Sequence, residues 1–219
     1  MSNQPLASLA DLPIRVRLFP LAGAILLPRA VMPLNIFEPR YLEMVRDAMA
    51  SDQMIALVQP RHDEDDDSDK PALYGVGAVG RITQYSETGD GRFLIALTGM
   101  ARFRLVQELP ATTSYRQAEV EYAPYASDWS PADPLAATAR AHLESTLKTY
   151  LEAQGLSADW EAVKSADDES LVNTLSVVCP FASAERQALL QALTLPDRAS
   201  TLSTLMAFAQ GSPTDRTVQ

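Results

Sequence analysis

The chain changes character near Trp129, and this change restricts the possible folds more than any other feature of the sequence. Before it, over residues 15–125, proline and glycine interrupt the chain often, and short apolar or alternating runs lie between them, as in β-strands. After it, residues 131–154 are rich in Ala and Leu, as in a long helix. A β-rich part followed by a helical part predicts an α+β fold with segregated elements.

The strongest local signal in the first part is a hairpin. Residues 80–87 and 92–98 flank Thr88-Gly89-Asp90-Gly91, in which Asp-Gly supplies the positive backbone dihedrals of a tight turn. Strands are predicted over residues 16–19, 24–27, 54–58, 78–85, 93–98, 102–106 and 115–122.

A helix is predicted to begin at Glu38-Pro39, because proline suits a first helical position and glutamate complements the positive end of the helix dipole. Its buried face comprises residues at helical spacing: Tyr41, Leu42, Val45, Ala48 and Met49. In the second part, Gly155 is placed to end the long helix in a left-handed conformation. Further helices are predicted over 169–179, stopped by Pro180, over 184–193 behind a Ser183 N-cap, and over 197–210.

These elements predict a disordered or extended leader over residues 1–13, a β-rich subdomain over 14–125, a helical subdomain over 126–210 and a flexible tail over 211–219. With 219 residues, 47% of them hydrophobic, the chain can bury a large apolar core.

The single cysteine, Cys179, excludes an intramolecular disulfide and favours a reducing compartment. No signal peptide and no apolar run long enough to cross a membrane is found, so a cytoplasmic protein is expected. The formal net charge is -10, and the carboxylates of Asp63-Glu64-Asp65-Asp66-Asp67 and Asp69 supply six of these negative charges. Such a chain repels phosphate backbones, so no nucleic-acid partner is expected.

Gly75-Val76-Gly77-Ala78-Val79-Gly80 matches the G-x-G-x-x-G pattern of dinucleotide-binding turns. That pattern needs a strand before it and a helix after it. Here an acidic loop precedes it and an alternating, strand-like run follows, which favours a glycine-rich strand. No cofactor is therefore predicted.

The histidines and the cysteine do not form a recognisable site either. His62 beside the acidic run suggests a cation site, but in an EF-hand register Ser68 and Tyr74 stand where glycine and glutamate are needed, which favours a solvated loop. His142 lies in a predicted helix without a ligand at metal-binding spacing. Cys179 has an apolar neighbourhood that raises a thiol pKa. We predict no metal site and no catalytic site.

Two catalytic arrangements stay open at this point. The sequence lacks G-x-S-x-G, and its two histidines leave few ways to build a Ser/His/Asp triad. A carboxylate pair assembled by folding is not excluded, nor is a Ser-Lys dyad that uses Lys70, Lys148 or Lys164.

Three stretches resemble the amino-terminal substrate-recognition domain of Lon proteases. They are residues 18–28 (LFPLAGAILLP), 32–45 (MPLNIFEPRYLEMV) and 79–82 with 99–105 (VGRI and GMARFRL). The most specific element is Phe37-Glu38-Pro39-Arg40-Tyr41. The similarity extends over residues 14–210, since the run that begins at Ser183 (SAERQALL) resembles the helical half of that domain.

The resemblance implies a PUA-like β pseudo-barrel followed by a helical bundle, in a free-standing, bacterial-type member without the ATPase and protease modules. It implies a non-enzymatic module that binds polypeptide clients, through apolar surface on the barrel or in the cleft between the barrel and the helices, and that acts in protein quality control. Docking of one fixed protein partner, RNA binding by fold analogy and an unrecognised hydrolase are the alternatives. The candidate surface comprises Phe37, Glu38, Arg40, Tyr41, Arg102 and Phe103.

Overall fold

The computed structural model describes residues 8–61 and 70–211 and divides into two units, Met1–Pro131 and Ala132–Gln219. The first unit is built from strands and one α-helix. In chain order these are β1 (Arg15–Pro20), β2 (Val31–Ile36), α1 (Pro39–Met49), β3 (Met54–Val58), β4 (Val76–Glu87), β5 (Phe93–Glu108) and β6 (Gln117–Glu121). A 3₁₀ segment, Ala123–Trp129, ends the unit.

The strands form one sheet in the order β2-β5-β4-β3-β1-β6, and a further pairing of β5 with β6 closes it into a barrel. β1 and β3 run parallel, and the other pairs are antiparallel. β2 lies outside the closed ring, because it pairs only with the first part of β5. It is therefore an edge strand on an otherwise closed barrel.

β5 has two parts with different partners. Residues 93–98 pair with β2, whereas residues 104–108 pair with β6. Gly99 lies between the two parts, where the main chain of Leu27 approaches so closely that a Cβ on residue 99 would lie 2.1 Å from the Leu27 carbonyl oxygen. Only glycine allows this approach. One long strand can thus serve both the barrel and the β2 extension.

Two apolar clusters fill the unit. The first lies inside the barrel, where alternate residues of the five closed strands meet. The second joins α1 to the sheet and includes Tyr41, Met44, Val45 and Ala48 of the helix. The helix face predicted from spacing is therefore the one that packs, with Leu42 and Met49 at its margin. Glu38 is the N-cap residue and Pro39 the first helical residue, as predicted.

The strand predictions differ from the structure in three places. Residues 24–27 form no strand. Ile25, Leu26 and Leu27 are buried in an irregular segment between positive φ angles of 68° at Gly23 and 65° at Arg29. The predicted strands 93–98 and 102–106 are parts of the single strand β5. β2 is absent from the strands predicted from the sequence. Pro33 is tolerated within it because β2 is an edge strand.

The first residues described also belong to the barrel. A 3₁₀ turn forms at Leu9–Asp11, and the side chain of Leu12 is buried in the interior cluster. The hydroxyl of Tyr122 donates a hydrogen bond of 2.7 Å to the carbonyl of Pro13. Residues 8–13 are thus held by the barrel instead of forming an extended leader, and residues 212–219 of the predicted tail lie outside the described residues.

The second unit consists of α-helices, in chain order α2 (Ala137–Ala153), α3 (Trp160–Ser165), α4 (Asp168–Val178), α5 (Ser183–Gln191) and α6 (Leu195–Gly211). α6 packs against α2, α4 and α5. Gly155 has a φ of 66° just after α2, as predicted. Ser183 is the first residue of α5 instead of its N-cap: Ala182 holds that position, and its N–H donates to the Glu185 carboxylate at 2.7 Å. The short helix α3 is absent from the sequence prediction.

Arginine side chains bind the carbonyl groups that helix ends leave without a partner in this unit. Arg186 donates to the carbonyls of Val177, Cys179 and Phe181 just after α4. Arg140 donates to the carbonyls of Val163 and Ala166 at the end of α3. These hydrogen bonds connect neighbouring helices and hold the carboxyl-terminal ends of α3 and α4 in place.

Candidate functional site

The residues predicted as a binding surface fall into two groups. Tyr41, Arg102 and Phe103 are buried, so they present no surface to a partner. Burial raises the pKa of the Tyr41 phenol, whose ring packs against Phe19 with centroids 4.5 Å apart. Phe103 is fully buried inside the barrel.

Arg102 has a structural role. Its guanidinium donates two hydrogen bonds to the Asp128 carboxylate, at 2.9 and 2.7 Å, and its main-chain N–H donates a third at 2.9 Å. The guanidinium also lies over the Tyr125 ring, 4.4 Å from the centroid. Arg29 donates to the Asp128 main-chain carbonyl at 2.6 Å. This buried cluster holds the Ala123–Trp129 segment against β5.

Phe37, Glu38 and Arg40 are at the surface. Arg40 and Glu38 form an ion pair of 2.7 Å beside the start of α1. Phe37 is 61% exposed, and the Arg92 guanidinium lies 5.9 Å from the centroid of its ring. Phe37 is therefore the predicted residue that offers apolar surface to a partner.

Phe37 continues a larger exposed surface of the sheet. β2, the first part of β5 and the end of β4 form a three-stranded region of the sheet, called here the β2–β5–β4 extension. One face of this region packs into the cluster under α1 through Ile36, Phe93, Ile95 and Leu97. Residues directly opposite each other on paired strands share a face of the sheet. The residues that alternate with these four along the strands therefore lie on the opposite face, away from α1. This surface, named here the outer face, comprises Val31, Pro33 and Asn35 of β2, Leu94, Ala96 and Thr98 of β5, and Gln84 and Ser86 of β4.

The outer face contains a groove of about 660 Å³, to which Pro33, Asn35, Gln84, Leu94 and Ala96 contribute. Leu94 is 47% exposed and Val31 is 62% exposed. Exposed apolar side chains clustered on a strand face indicate a contact surface, since isolated ones are the norm on a protein surface. The groove sides are mostly neutral, with amide and hydroxyl groups available for hydrogen bonds.

The second unit has its own groove, of about 530 Å³, between α2 and α6. His142 lines it together with small residues and Phe208, which is 73% exposed. His142 is exposed, in agreement with its predicted place on a helix surface. Among the described residues, no carboxylate or cysteine lines this groove, so its composition resembles a contact surface more than a catalytic site.

Across residues 8–61 and 70–211, no group of three or more His, Cys, Asp and Glu residues is arranged to hold a metal ion. His62 and the acidic run 63–69 lie outside the described residues. Lys70 lies 3.5 Å from Glu108, whose carboxylate also accepts from Arg116, so it stands in an ion-pair network. Lys148 and Lys164 are exposed on helices of the second unit.

Cys179 is predicted to resist alkylation in the folded protein. Burial raises the pKa of its thiol to about 11. Because the thiolate is the reactive form, its population at pH 8 falls by about a hundredfold relative to an ordinary thiol. Iodoacetamide labelling followed by mass spectrometry should be at least that much slower in buffer than in 8 M urea. Equal rates in the two solvents would contradict a buried thiol.

The family model of the ATP-dependent protease La (LON) substrate-binding domain matches residues 15–207. The chain belongs to this family. Lon protease 2 of Myxococcus xanthus is 31% identical over 121 residues, which are 55% of this chain and 14% of that protein. The Lon protease of Flavobacterium johnsoniae is 26% identical over 194 residues, 86% of this chain and 23% of that protein. The chain thus spans less than a quarter of these two Lon proteases.

Solved structures of Lon amino-terminal domains have the same fold. A Lon N-terminal domain protein from Xanthomonas campestris superposes with a TM-score of 0.61 at 24% identity, covering 89% of this chain and 98% of that chain. The N-terminal domain of a Mycobacterium avium complex Lon protease gives 0.59 at 16% identity, covering 88% and 98%. The predicted α+β fold and the predicted Lon family membership are both confirmed. Among the described residues of this Lon-family chain, no helix has the length and apolarity needed to span a bilayer.

Proposed function

We propose that this chain is a non-catalytic recognition module that binds polypeptide segments on the outer face and acts in protein quality control. The observation that carries the proposal is the exposed apolar surface of the β2–β5–β4 extension, with Leu94 in its groove and Phe37 at its end. Membership of a substrate-binding domain family supports a polypeptide as the ligand. Unfolded chains expose apolar residues that such a surface can remove from water.

The size and chemistry of the groove fit this ligand class. A volume of about 660 Å³ accommodates a few side chains of an extended segment. Burial of one leucine or phenylalanine side chain contributes about 1.5–3 kcal/mol before the cost of ordering the segment. Binding of a single segment is therefore expected to be weak and tolerant of sequence, as a module with many clients requires.

Replacing Phe37 or Leu94 by serine is expected to raise the Kd for an unfolded chain by about fivefold or more, because each change removes exposed apolar surface from the outer face. The measurement is fluorescence anisotropy of labelled, reduced and carboxymethylated α-lactalbumin, which stays unfolded in buffer. Thermal unfolding should change little, since both side chains are already substantially exposed.

Two exposed residues elsewhere provide matched controls. Val106, on the same strand as Leu94 but outside the groove, is 55% exposed, and Phe208 of the second unit is more exposed still. Val106→Ser and Phe208→Ser should bind like the wild type. Weakened binding by Phe208→Ser alone would move the site to the second unit. Binding of one folded protein, with none of the unfolded chain, would favour the scaffold alternative.

A further inference from the structure

The free edge of β2 leaves main-chain groups available for hydrogen bonding. The N–H of Gly99 donates to the carbonyl of Ala30 at 2.9 Å, so residues 30 and 99 form a hydrogen-bonded pair. Along an antiparallel ladder such pairs alternate, so Met32, Leu34 and Ile36 bond to β5. The main-chain groups of Val31, Pro33 and Asn35 therefore point away from the sheet.

Among the described residues, no strand pairs with this edge. The N–H groups of Val31 and Asn35 and the carbonyls of Val31, Pro33 and Asn35 make no hydrogen bond within residues 8–61 and 70–211. Edge strands of soluble proteins are usually protected by charged side chains, by proline or by a covering segment. β2 (VMPLNI) has no charged residue, and Pro33 is its one protective residue.

We propose that a client segment binds by adding as a strand to the free edge of β2; this inference rests on the proposed function and specifies its geometry. Strand addition draws affinity from main-chain hydrogen bonds and selectivity from side chains at alternate positions. Alternate side chains of the added strand extend the outer face beside Val31 and Pro33, so the edge and the groove form one continuous site. The ligand class is an extended, apolar segment.

The charge of the edge selects among such segments. Residues 28–40 include the cations Arg29 and Arg40 and one carboxylate, Glu38, in a chain of formal net charge -10. The Glu38 carboxylate is paired with Arg40, so this stretch keeps one net positive charge. Apolar segments with acidic ends fit it better than those with basic ends.

Pro33 makes the inference testable by a gain of binding. Pro33→Val restores an outward N–H at the centre of the edge, which permits one more hydrogen bond to an added strand. The Kd for a labelled decapeptide of alternating valine and threonine with glutamate at both ends should fall by about fivefold. A variant that fails to fold cannot give this result. The same peptide N-methylated at every second residue, and one with lysine ends, should bind at least about fivefold more weakly.

Asn35 provides the reverse test with its own control. Asn35→Pro removes an outward N–H and should raise the Kd for the decapeptide about fivefold, whereas Asn35→Ala keeps the N–H and should stay within about twofold. Circular dichroism shows whether the proline variant folds. If it does not, the Pro33→Val variant and the N-methylated peptide decide the matter.

The outcomes separate this inference from the proposed function. If Phe37→Ser and Leu94→Ser weaken binding but Pro33→Val, Asn35→Pro and N-methylation leave it unchanged, clients bind the outer face without strand addition, and the inference fails alone. If the wild type binds neither the decapeptide nor the unfolded chain, the proposed function fails. If Pro33→Val forms dimers by size-exclusion chromatography and does not bind the decapeptide more tightly, the edge pairs with a second copy and the inference is overturned.

Discussion

Replacing Asp128 by alanine is expected to lower the free energy of unfolding by about 3–5 kcal/mol, because it leaves a buried guanidinium without its counter-ion. Arg102 is 1% exposed, and Asp128 accepts three hydrogen bonds from this residue. One of these comes from the Arg102 main-chain N–H, and this hydrogen bond is lost as well. The ring of Tyr125 offsets only a small part of the loss.

Urea denaturation followed by circular dichroism measures this effect, and a surface ion pair provides the control. Glu121 pairs with Arg104 on the exposed side of the neighbouring strands, so Glu121→Ala should cost less than about 1 kcal/mol. Asp128→Asn keeps the shape of the side chain and should fall between the two. A loss of less than about 1 kcal/mol in Asp128→Ala would show that the Ala123–Trp129 segment does not depend on this cluster.

Replacing Gly99 by alanine is expected to cost about 3 kcal/mol or more, since the new methyl group would collide with main-chain atoms. Its Cβ would lie 2.1 Å from the oxygen and 2.9 Å from the carbon of the Leu27 carbonyl. Main-chain atoms in a buried segment cannot swing aside as a flexible side chain can. The 24–27 segment or β5 must therefore move, at the point where β5 passes from β2 to the barrel.

Gly89 is the matched control for Gly99. It lies in the β4–β5 turn, where a Cβ on residue 89 would have no heavy atom of another part of the chain within 4 Å. Gly89→Ala should therefore change the free energy of unfolding by less than about 1 kcal/mol. Both variants are compared by urea denaturation. Equal stability of the two would mean that the close approach of residues 27 and 99 does not constrain the fold.

Much of the fold follows from local sequence signals. The turn at Thr88 to Gly91 joins β4 to β5 where Asp-Gly predicts it, and Gly91 has a φ of 81°. Pro39 and Gly155 mark helix ends because each has a backbone preference that acts without help from the rest of the chain. Except for Gly75, the glycine-rich motif is part of β4, as its alternating continuation predicts, and Gly77 packs there against the ring of Phe103.

What the sequence could not predict depends on distant partners. The barrel closes through the pairing of β5 with β6, and no local sequence pattern predicts this pairing. A charged residue such as Arg102 is expected at the surface, yet its partner Asp128 lies 26 residues away in an irregular segment. Phe103 lies between Arg102 and Arg104 in the sequence. This pattern alone does not show that the side chain of Phe103 points into the barrel interior.

The candidate site is only partly predictable for the same reason. The family motif identifies Phe37, whereas nothing in it points to Val31, Pro33 or Leu94. Apolar residues on both faces of a strand usually indicate complete burial, and the two faces of β2 and β5 cannot be distinguished without knowing that α1 covers one of them. The useful signal is Pro33, because a proline within an apolar run indicates an edge strand.

Site-specific photo-crosslinking shows which surface of the protein an unfolded chain contacts. A photoreactive benzoylphenylalanine is placed at position 94, in the groove of the outer face, or at position 106, exposed on the same strand outside the groove. After irradiation with labelled, unfolded α-lactalbumin, we expect a strong adduct from position 94 and little from position 106. Equal adducts from the two positions, or an adduct from position 106 alone, would contradict recognition of polypeptide by the outer face.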